Sequence, residues 1–118
     1  MSKTAIALIV KFLYTFVFGW LTLSLIDNNS TRWVAMVALV ATGLNYMFGD
    51  LVVLSRFGNI LASLTNGLMA VMLAYIFRTF TAHANKTTLG TLVIFALLIA
   101  IGEYFFHKYL LASKEVSP

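Results

Sequence analysis

The chain has 118 residues, of which 61% are hydrophobic and only 10% are charged. Because soluble domains carry roughly one-quarter charged residues, this composition indicates a membrane protein. The net charge of +4 is spread over the ends of apolar runs, which argues against a nucleic-acid partner. The chain contains no cysteine, which excludes disulfides, thiolate metal sites and cysteine nucleophiles.

Four apolar runs fill nearly the whole sequence. A hydrocarbon core about 30 Å thick needs roughly 20 apolar residues to cross as a helix. The runs are predicted to be helices because a lipid-exposed backbone must satisfy its own hydrogen bonds, and the alternation of a barrel strand is absent. We therefore predict an all-α integral membrane four-helix bundle that forms one transmembrane domain over residues 1–118. The predicted spans are Thr4 to Ile26, Trp33 to Leu54, Asn59 to Phe80 and Leu89 to Leu111.

The first run is expected to be a span and not a cleaved signal, because Lys11 interrupts it and no small-x-small site follows it. The connections DNNSTR, SRFG and TAHANKTT are short, which predicts an antiparallel up-down-up-down order. Five of the eight basic residues fall on the side of the N-terminus, which favours cytoplasmic termini in the plasma membrane. These five are Lys3, Lys11, Arg56, Lys108 and Lys114, against Arg32, Arg78 and Lys86 on the other side.

Ionisable residues within the runs share one depth. At about 1.5 Å per residue, Asp50 lies roughly 6 Å, Lys11 about 10 Å and Glu103 about 12 Å inside the cytoplasmic ends of their helices. Charged groups in the bilayer are costly and usually turn inward to pair. We therefore predict a buried network of Lys11, Asp50, Arg56 and Glu103, with two polar residues, Asn66 and His107, close to it.

Each of these residues also has a simpler interpretation. Lys11 could extend its stem to the headgroups, and Asp50 with Arg56 could be a structural pair that fixes the hairpin between runs two and three. Glu103 is either part of a structural ion pair or a site of proton- or cation-coupled function. His107 either titrates near neutrality or is an interfacial polar residue.

Small and polar residues at helical spacing predict the bundle seam. Gly58 and Asn59 suit the turn between runs two and three, because glycine adopts a left-handed conformation and asparagine can cap the next helix. The rows predicted to face inward are Lys11, Thr15 and Thr22; Ala62, Asn66, Ala70 and Ala74; and Ala96, Ala100, Glu103 and His107.

The segments IVKFLYT, GDLVVLSRFGN and GEYFFHKYLL resemble the recurring blocks of the YndM-like family. This family comprises small four-span membrane proteins of Gram-positive bacteria, classed as a domain of unknown function. The resemblance spans nearly the full chain and implies no activity. Ser55 stands where the family has a proline and Asn66 where an aspartate is common, which removes one acid from the site. The matching positions are Lys11, Phe12, Gly49, Asp50, Leu51, Arg56, Phe57, Gly58, Asn59, Gly102, Glu103, Phe106, His107 and Lys108.

An enzyme is not expected. The sequence contains no glycine-rich phosphate loop, His-Glu-x-x-His zinc motif or Gly-x-Ser-x-Gly elbow. A catalyst built from Asp50, Glu103 and His107 would lack a marked nucleophile. We predict neither a cofactor nor a metal ion.

A transporter or channel that uses Glu103 is the alternative function. Four short helices hardly enclose a pathway, so transport would require at least a homodimer. The small multidrug transporters match in size, but they carry a carboxylate in the first span, where this chain has Lys11. The Asn-x-x-Gly pattern of the four-span fluoride channels is not evident in LTNGLMA.

The leading hypothesis is a non-catalytic membrane protein with a structural, regulatory or lipid-binding role. Its partner is then the bilayer itself. Arg56, Lys108 and Lys11 are candidates to hold an anionic lipid headgroup.

Overall fold

The structure is a computed structural model that describes the backbone of residues 3–80 and 87–112 and the side chains of residues 5–80 and 87–108. Four helices are long and apolar enough to cross a membrane, which confirms the predicted all-α membrane bundle. They are span 1 (Ala5–Ser24), span 2 (Thr31–Phe57), span 3 (Asn59–Phe80) and span 4 (Leu89–Lys108). The side chains of Lys3, Lys86 and Lys114 lie outside the described residues, and the cytoplasmic position of the termini stays a prediction.

Two of the spans change their helical winding. Span 1 begins as an α-helix and ends in a short π-helical turn, and span 2 contains a longer π-helical segment in its second half. The α-helices are Lys3–Gly19, Thr31–Leu44, Leu54–Phe57, Asn59–Phe80 and Leu89–Ala112, and the π-helical segments are Trp20–Ser24 and Asn45–Val53.

The turn between spans 2 and 3 depends on Gly58. Its φ is +91° and its ψ is 177°, a backbone region that is essentially restricted to glycine. This conformation ends span 2 and lets span 3 start at the next residue, as the sequence predicts. We call this end of the bundle the Gly58 end.

The opposite end is held by a buried carboxylate. Asp27, which follows span 1, accepts hydrogen bonds from the Thr88 backbone N–H at 2.9 Å and from the Thr91 hydroxyl at 3.1 Å. These groups lie at the start of span 4, where N–H groups lack intrahelical partners and the helix dipole favours an anion. Asp27 therefore ties span 1 to span 4, and we call this end the Asp27 end.

The four spans form a closed ring. Each span packs against the next along the chain, and span 1 also packs against span 4. Spans 3 and 4 share the most extensive contact, because Gly67 removes the side chain that would separate them. A Cβ at Gly67 would lie 2.7 Å from the Ala96 carbonyl oxygen.

The interior is layered along the bundle axis. One apolar cluster, built around Leu23, Trp33 and Phe95, fills the half toward the Asp27 end. A smaller one fills the Gly58 end and comprises Ala7, Leu54, Ala62 and Phe106. The predicted inward rows of spans 1 and 3 are buried, which confirms them. In the predicted row of span 4, Glu103 and His107 are buried, but Ala96 and Ala100 are only partly buried. Lys11 and Asn66 lie between the two apolar clusters.

We predict that Gly67→Ala destabilises the bundle by about 1–3 kcal/mol, because its methyl group would force spans 3 and 4 apart. The free energy of unfolding would be measured in mixed micelles titrated with dodecyl sulfate. Gly43→Ala is the matched control, since nothing lies within 4 Å of a Cβ at Gly43 and alanine favours a helix interior. Equal stability of the two variants would contradict the close helix contact.

Candidate functional site: a buried charge network

Lys11 is the centre of the site. Its Nζ donates to Asp50 Oδ2 at 2.9 Å and to Glu103 Oε2 at 2.6 Å. All three side chains are fully buried, and Nζ also lies 5.0 Å from the centre of the Phe106 ring. The ammonium thus joins spans 1, 2 and 4 at one level, as the shared depth of the charges predicts, and does not extend to the headgroups.

The π-helical segment of span 2 places Asp50 in the interior. In a π-helix the i→i+5 hydrogen bonds widen each turn, so residues four and five apart share a face. Asn45, Gly49 and Asp50 are accordingly all buried. Such segments are frequent at functional sites.

Asn66 of span 3 bridges the two carboxylates. Its Nδ2 donates to Asp50 Oδ1 at 3.1 Å and to Glu103 Oε2 at 3.0 Å. The other side of the amide lies against Gly49, where any Cβ would overlap it. Gly49 is therefore needed so that the Asn66 amide can fit between spans 2 and 3.

His107 faces hydrogen-bond acceptors on both sides of its ring. Nε2 lies 2.6 Å from Asp50 Oδ1, and Nδ1 lies 2.8 Å from Asn59 Oδ1. The Asn59 amide is oriented by its Nδ2, which donates to the Tyr104 carbonyl at 3.0 Å, so its Oδ1 accepts. A neutral imidazole can donate from one nitrogen only. A ring protonated on both nitrogens would therefore satisfy both acceptors, whereas the Ser63 hydroxyl, 3.2 Å from Nδ1, could donate to a neutral ring.

The charges of the network then balance. With both ring nitrogens protonated, His107 and Lys11 supply two positive charges, and Asp50 and Glu103 supply two negative charges. His107 Nε2 lies 3.2 Å from Glu103 Oε2 as well, so each cation faces both anions. Isolated charges are strongly disfavoured in a low-dielectric interior, whereas a paired and hydrogen-bonded set is tolerated.

The prediction that Arg56 belongs to the network is wrong. Arg56 is exposed, and Asp50 pairs with Lys11 and His107 instead. Residues three or four apart face each other on a helix, and the six-residue interval from Asp50 does not bring Arg56 to the same side. Arg56 lies in the last turn of span 2, where the helix dipole favours a cation.

The prediction that Asn59 caps span 3 is also wrong. The Gly58 carbonyl accepts from the Ala62 N–H at 3.1 Å, so Asn59 is already helical, and its side chain serves His107. Ser63 is a second member that the sequence does not single out: its Oγ lies 3.1 Å from Asn59 Oδ1 and 3.2 Å from His107 Nδ1. The four-residue interval between Asn59 and Ser63 is the only sequence signal for this pair.

The network also contains the atoms of a candidate metal site. Asp50, Glu103 and His107 each offer one ligand atom, and these atoms lie within 4.8 Å of one another. Carboxylate and imidazole ligands of this kind suit divalent transition metals. The Lys11 ammonium, however, already contacts both carboxylates, and a metal ion would have to displace it.

Some buried oxygens of the site remain unpaired within the described part of the chain. They include Glu103 Oε1, Asn66 Oδ1 and the Tyr14 hydroxyl. Tyr14 lines a groove of about 430 Å³ between spans 1 and 4, together with Val10, Gly102, Phe105 and Phe106. Glu103 Oε1 and Asn66 Oδ1 are therefore the network atoms with capacity for a further hydrogen bond, and the Tyr14 hydroxyl lies beside Glu103.

Comparison with known proteins assigns the chain to a family. The sequence profile of the family described as "Protein of unknown function (DUF2512)" matches residues 2–116. The chain belongs to this family. Membership in DUF2512 confirms the family resemblance of the three sequence blocks that contain Lys11, Asp50, Glu103 and His107.

A similar protein supports the membrane assignment. The chain is 30% identical over 109 residues to the "Uncharacterized membrane protein YndM" of Bacillus subtilis (strain 168), an alignment that covers 92% of this chain and 61% of the relative. The chain thus spans about three-fifths of the relative's length. No solved structure matches the chain.

We predict that Lys11→Met lowers the free energy of unfolding by about 3–5 kcal/mol, because it leaves buried carboxylates without their cation. Adding Glu103→Gln to Lys11→Met restores charge balance between His107 and Asp50. The double variant should therefore lose at least about 1 kcal/mol less than the sum of the two single losses.

The same titration in mixed micelles would measure the free energy of unfolding of the unsubstituted protein, the two single variants and the double variant. Arg56→Gln is the control and should change stability by no more than about 0.5 kcal/mol, because its side chain is exposed. Losses that simply add for Lys11 and Glu103 would contradict the ion pair.

We further predict that both ring nitrogens of His107 carry protons in the folded protein at pH 7. Nitrogen-15 NMR of histidine-labelled protein in lipid nanodiscs would report the two ring nitrogens, with His107→Gln used to assign the signals. Asp50→Asn should weaken the Nε2 hydrogen bond and shift that signal most. A ring with one bare nitrogen in the unsubstituted protein would contradict the balanced network.

Proposed function

We propose that the protein is a non-catalytic multi-pass protein of the plasma membrane, with a structural or regulatory role. In this proposal the charge network fixes the relative positions of the four spans. The observation that carries it is the placement of the Lys11 ammonium between Asp50 and Glu103, fully buried.

The internal pairing of the network supports a structural role over catalysis. Catalysis needs a group that is positioned to react with a substrate, and the charged groups of this site are bound to one another. The groove beside Tyr14 and Phe106 has an almost wholly apolar wall. A membrane partner or a second copy of the chain would then contact the outside of the bundle and recognise the arrangement of its spans.

Membrane helices gain little from apolar contact with each other, because lipid is equally apolar. Polar contacts therefore have a large influence on which helix faces meet. Lys11, Asp50, Asn66 and Glu103 come from four different spans, so loss of one member would affect the whole ring. This supports a role in which the network specifies one arrangement of the bundle.

Proton- or cation-coupled transport by an oligomer is the second candidate. It is favoured by one observation, the buried and unpaired Oε1 of Glu103. Protonation of Glu103 would release Lys11 from one of its two anions and leave a net positive charge in the site. Such a change of charge could open a pathway in a homodimer, in which the groove between spans 1 and 4 would be one wall.

A flux assay decides between these two candidates. In proteoliposomes loaded with a pH-sensitive dye, we expect proton flux no greater than in protein-free vesicles under an imposed potential, for both the unsubstituted protein and Glu103→Gln. The same vesicles would be tested with sodium and potassium gradients. A flux that Glu103→Gln abolishes while the protein remains folded would overturn the proposal in favour of transport.

A further inference from the structure

A second apolar groove lies on the outside of the bundle, between spans 3 and 4. Its volume is about 430 Å³. It occupies the part of this helix pair between the close contact at Gly67 and the Gly58 end. Its lining residues are Ile60, Ser63, Leu64, Leu97, Ala100, Ile101, Tyr104 and Phe105.

The lining of this groove is suited to an acyl chain. Ile60, Leu64 and Phe105 are 69%, 58% and 64% exposed, so the groove faces outward, toward the hydrocarbon of a membrane. Ser63 and Tyr104 are the polar side chains of its lining, and the Ser63 hydroxyl already lies within hydrogen-bond distance of Asn59 and His107. The groove therefore offers contact to a hydrocarbon chain and little to a polar molecule.

Positive charge lies at the Gly58 end of the groove. Lys108 is exposed, and its Nζ lies 4.9 Å from the ring centre of Tyr104, a lining residue. Arg56 is exposed in the last turn of span 2, just before Gly58, and Asn59 at the start of span 3 donates to the Tyr104 carbonyl of span 4.

No exposed acid offsets these two cations in the part of the chain that the structure describes. Asp27, Asp50 and Glu103 are all buried, with exposures of 4%, 0% and 0%. Among the residues that the structure describes, Arg56 and Lys108 are thus the exposed charged side chains at this end. Lys11, which the sequence suggests as a third headgroup ligand, is buried in the network and does not reach this surface.

We propose that this surface binds an anionic phospholipid, with one acyl chain along the groove between spans 3 and 4 and the headgroup phosphate against Lys108 and Arg56. A basic cluster at the end of membrane helices attracts anionic headgroups, and a groove that continues from it adds contact to the chain. This site extends the membrane role proposed above. Its failure would leave the role of the buried network untouched, because the side chains of Arg56 and Lys108 lie outside that network.

Native mass spectrometry of the full chain tests the proposal. The protein would be incubated in detergent with equal amounts of dioleoyl phosphatidylglycerol and dioleoyl phosphatidylcholine, two lipids that share the same chains and differ in headgroup charge. We expect preferential retention of the phosphatidylglycerol. Lys108→Gln and Arg56→Gln should each lower that retention about fivefold.

Two further variants separate the groove from general surface attraction. Arg32→Gln removes an exposed charge at the Asp27 end and should leave retention unchanged. Leu64→Trp places a bulky ring in the groove and should lower retention of phosphatidylglycerol without a change in melting temperature, since Leu64 is exposed. Equal retention of the two lipids, an equal effect of Arg32→Gln and Lys108→Gln, or unchanged retention by Leu64→Trp would each overturn the proposal.

Discussion

The contact of one ammonium group with two carboxylates is the interaction on which the rest of this bundle depends. Lys11 Nζ lies 2.9 Å from Asp50 and 2.6 Å from Glu103, with no exposure of any of the three side chains. Each of these charges would be costly in the membrane if left alone. Their pairing, together with His107, is therefore what allows spans 1, 2 and 4 to pack side by side in a membrane.

Several local features of the chain serve this contact. The π-helical segment of span 2 turns Asp50 inward, and Gly49 leaves room for the Asn66 amide, which bridges both carboxylates. His107 adds a second cation on the other side of Asp50 and is oriented by Asn59. A buried ion pair contributes little net stability compared with apolar packing, but a broken one is strongly destabilising. We therefore infer that the main role of the network is to favour one arrangement of the helices over others.

The burial of the acidic residues also affects the charge of the protein surface. With Asp27, Asp50 and Glu103 directed inward, the exposed side chains of Arg56 and Lys108 face the surroundings without a described acidic neighbour. The interior network and the basic rim at the Gly58 end are thus two results of the same distribution of charge. The burial of the acids therefore connects the packing of the bundle with the proposed binding of an anionic lipid at its surface.

The sequence by itself determined the membrane class, the four spans and the common depth of Lys11, Asp50, Asn66 and Glu103. Composition and helical rise suffice for these conclusions, because they depend on position along each helix. The turn at Gly58 was predictable for a similar reason, since its backbone conformation is a local property of glycine.

Only the tertiary structure decided which charges meet. Arg56 is at nearly the right depth, but it lies on the wrong side of span 2, whereas His107 and Asn59 come together from spans 4 and 3. The direction in which a side chain points from a helix depends on the local number of residues per turn. The π-helical segment of span 2 has more residues per turn than an α-helix, so a 3.6-residue period does not predict side-chain directions there. Contacts between spans also depend on the rotation of each helix about its own axis. This rotation is determined by the packing of all four helices together.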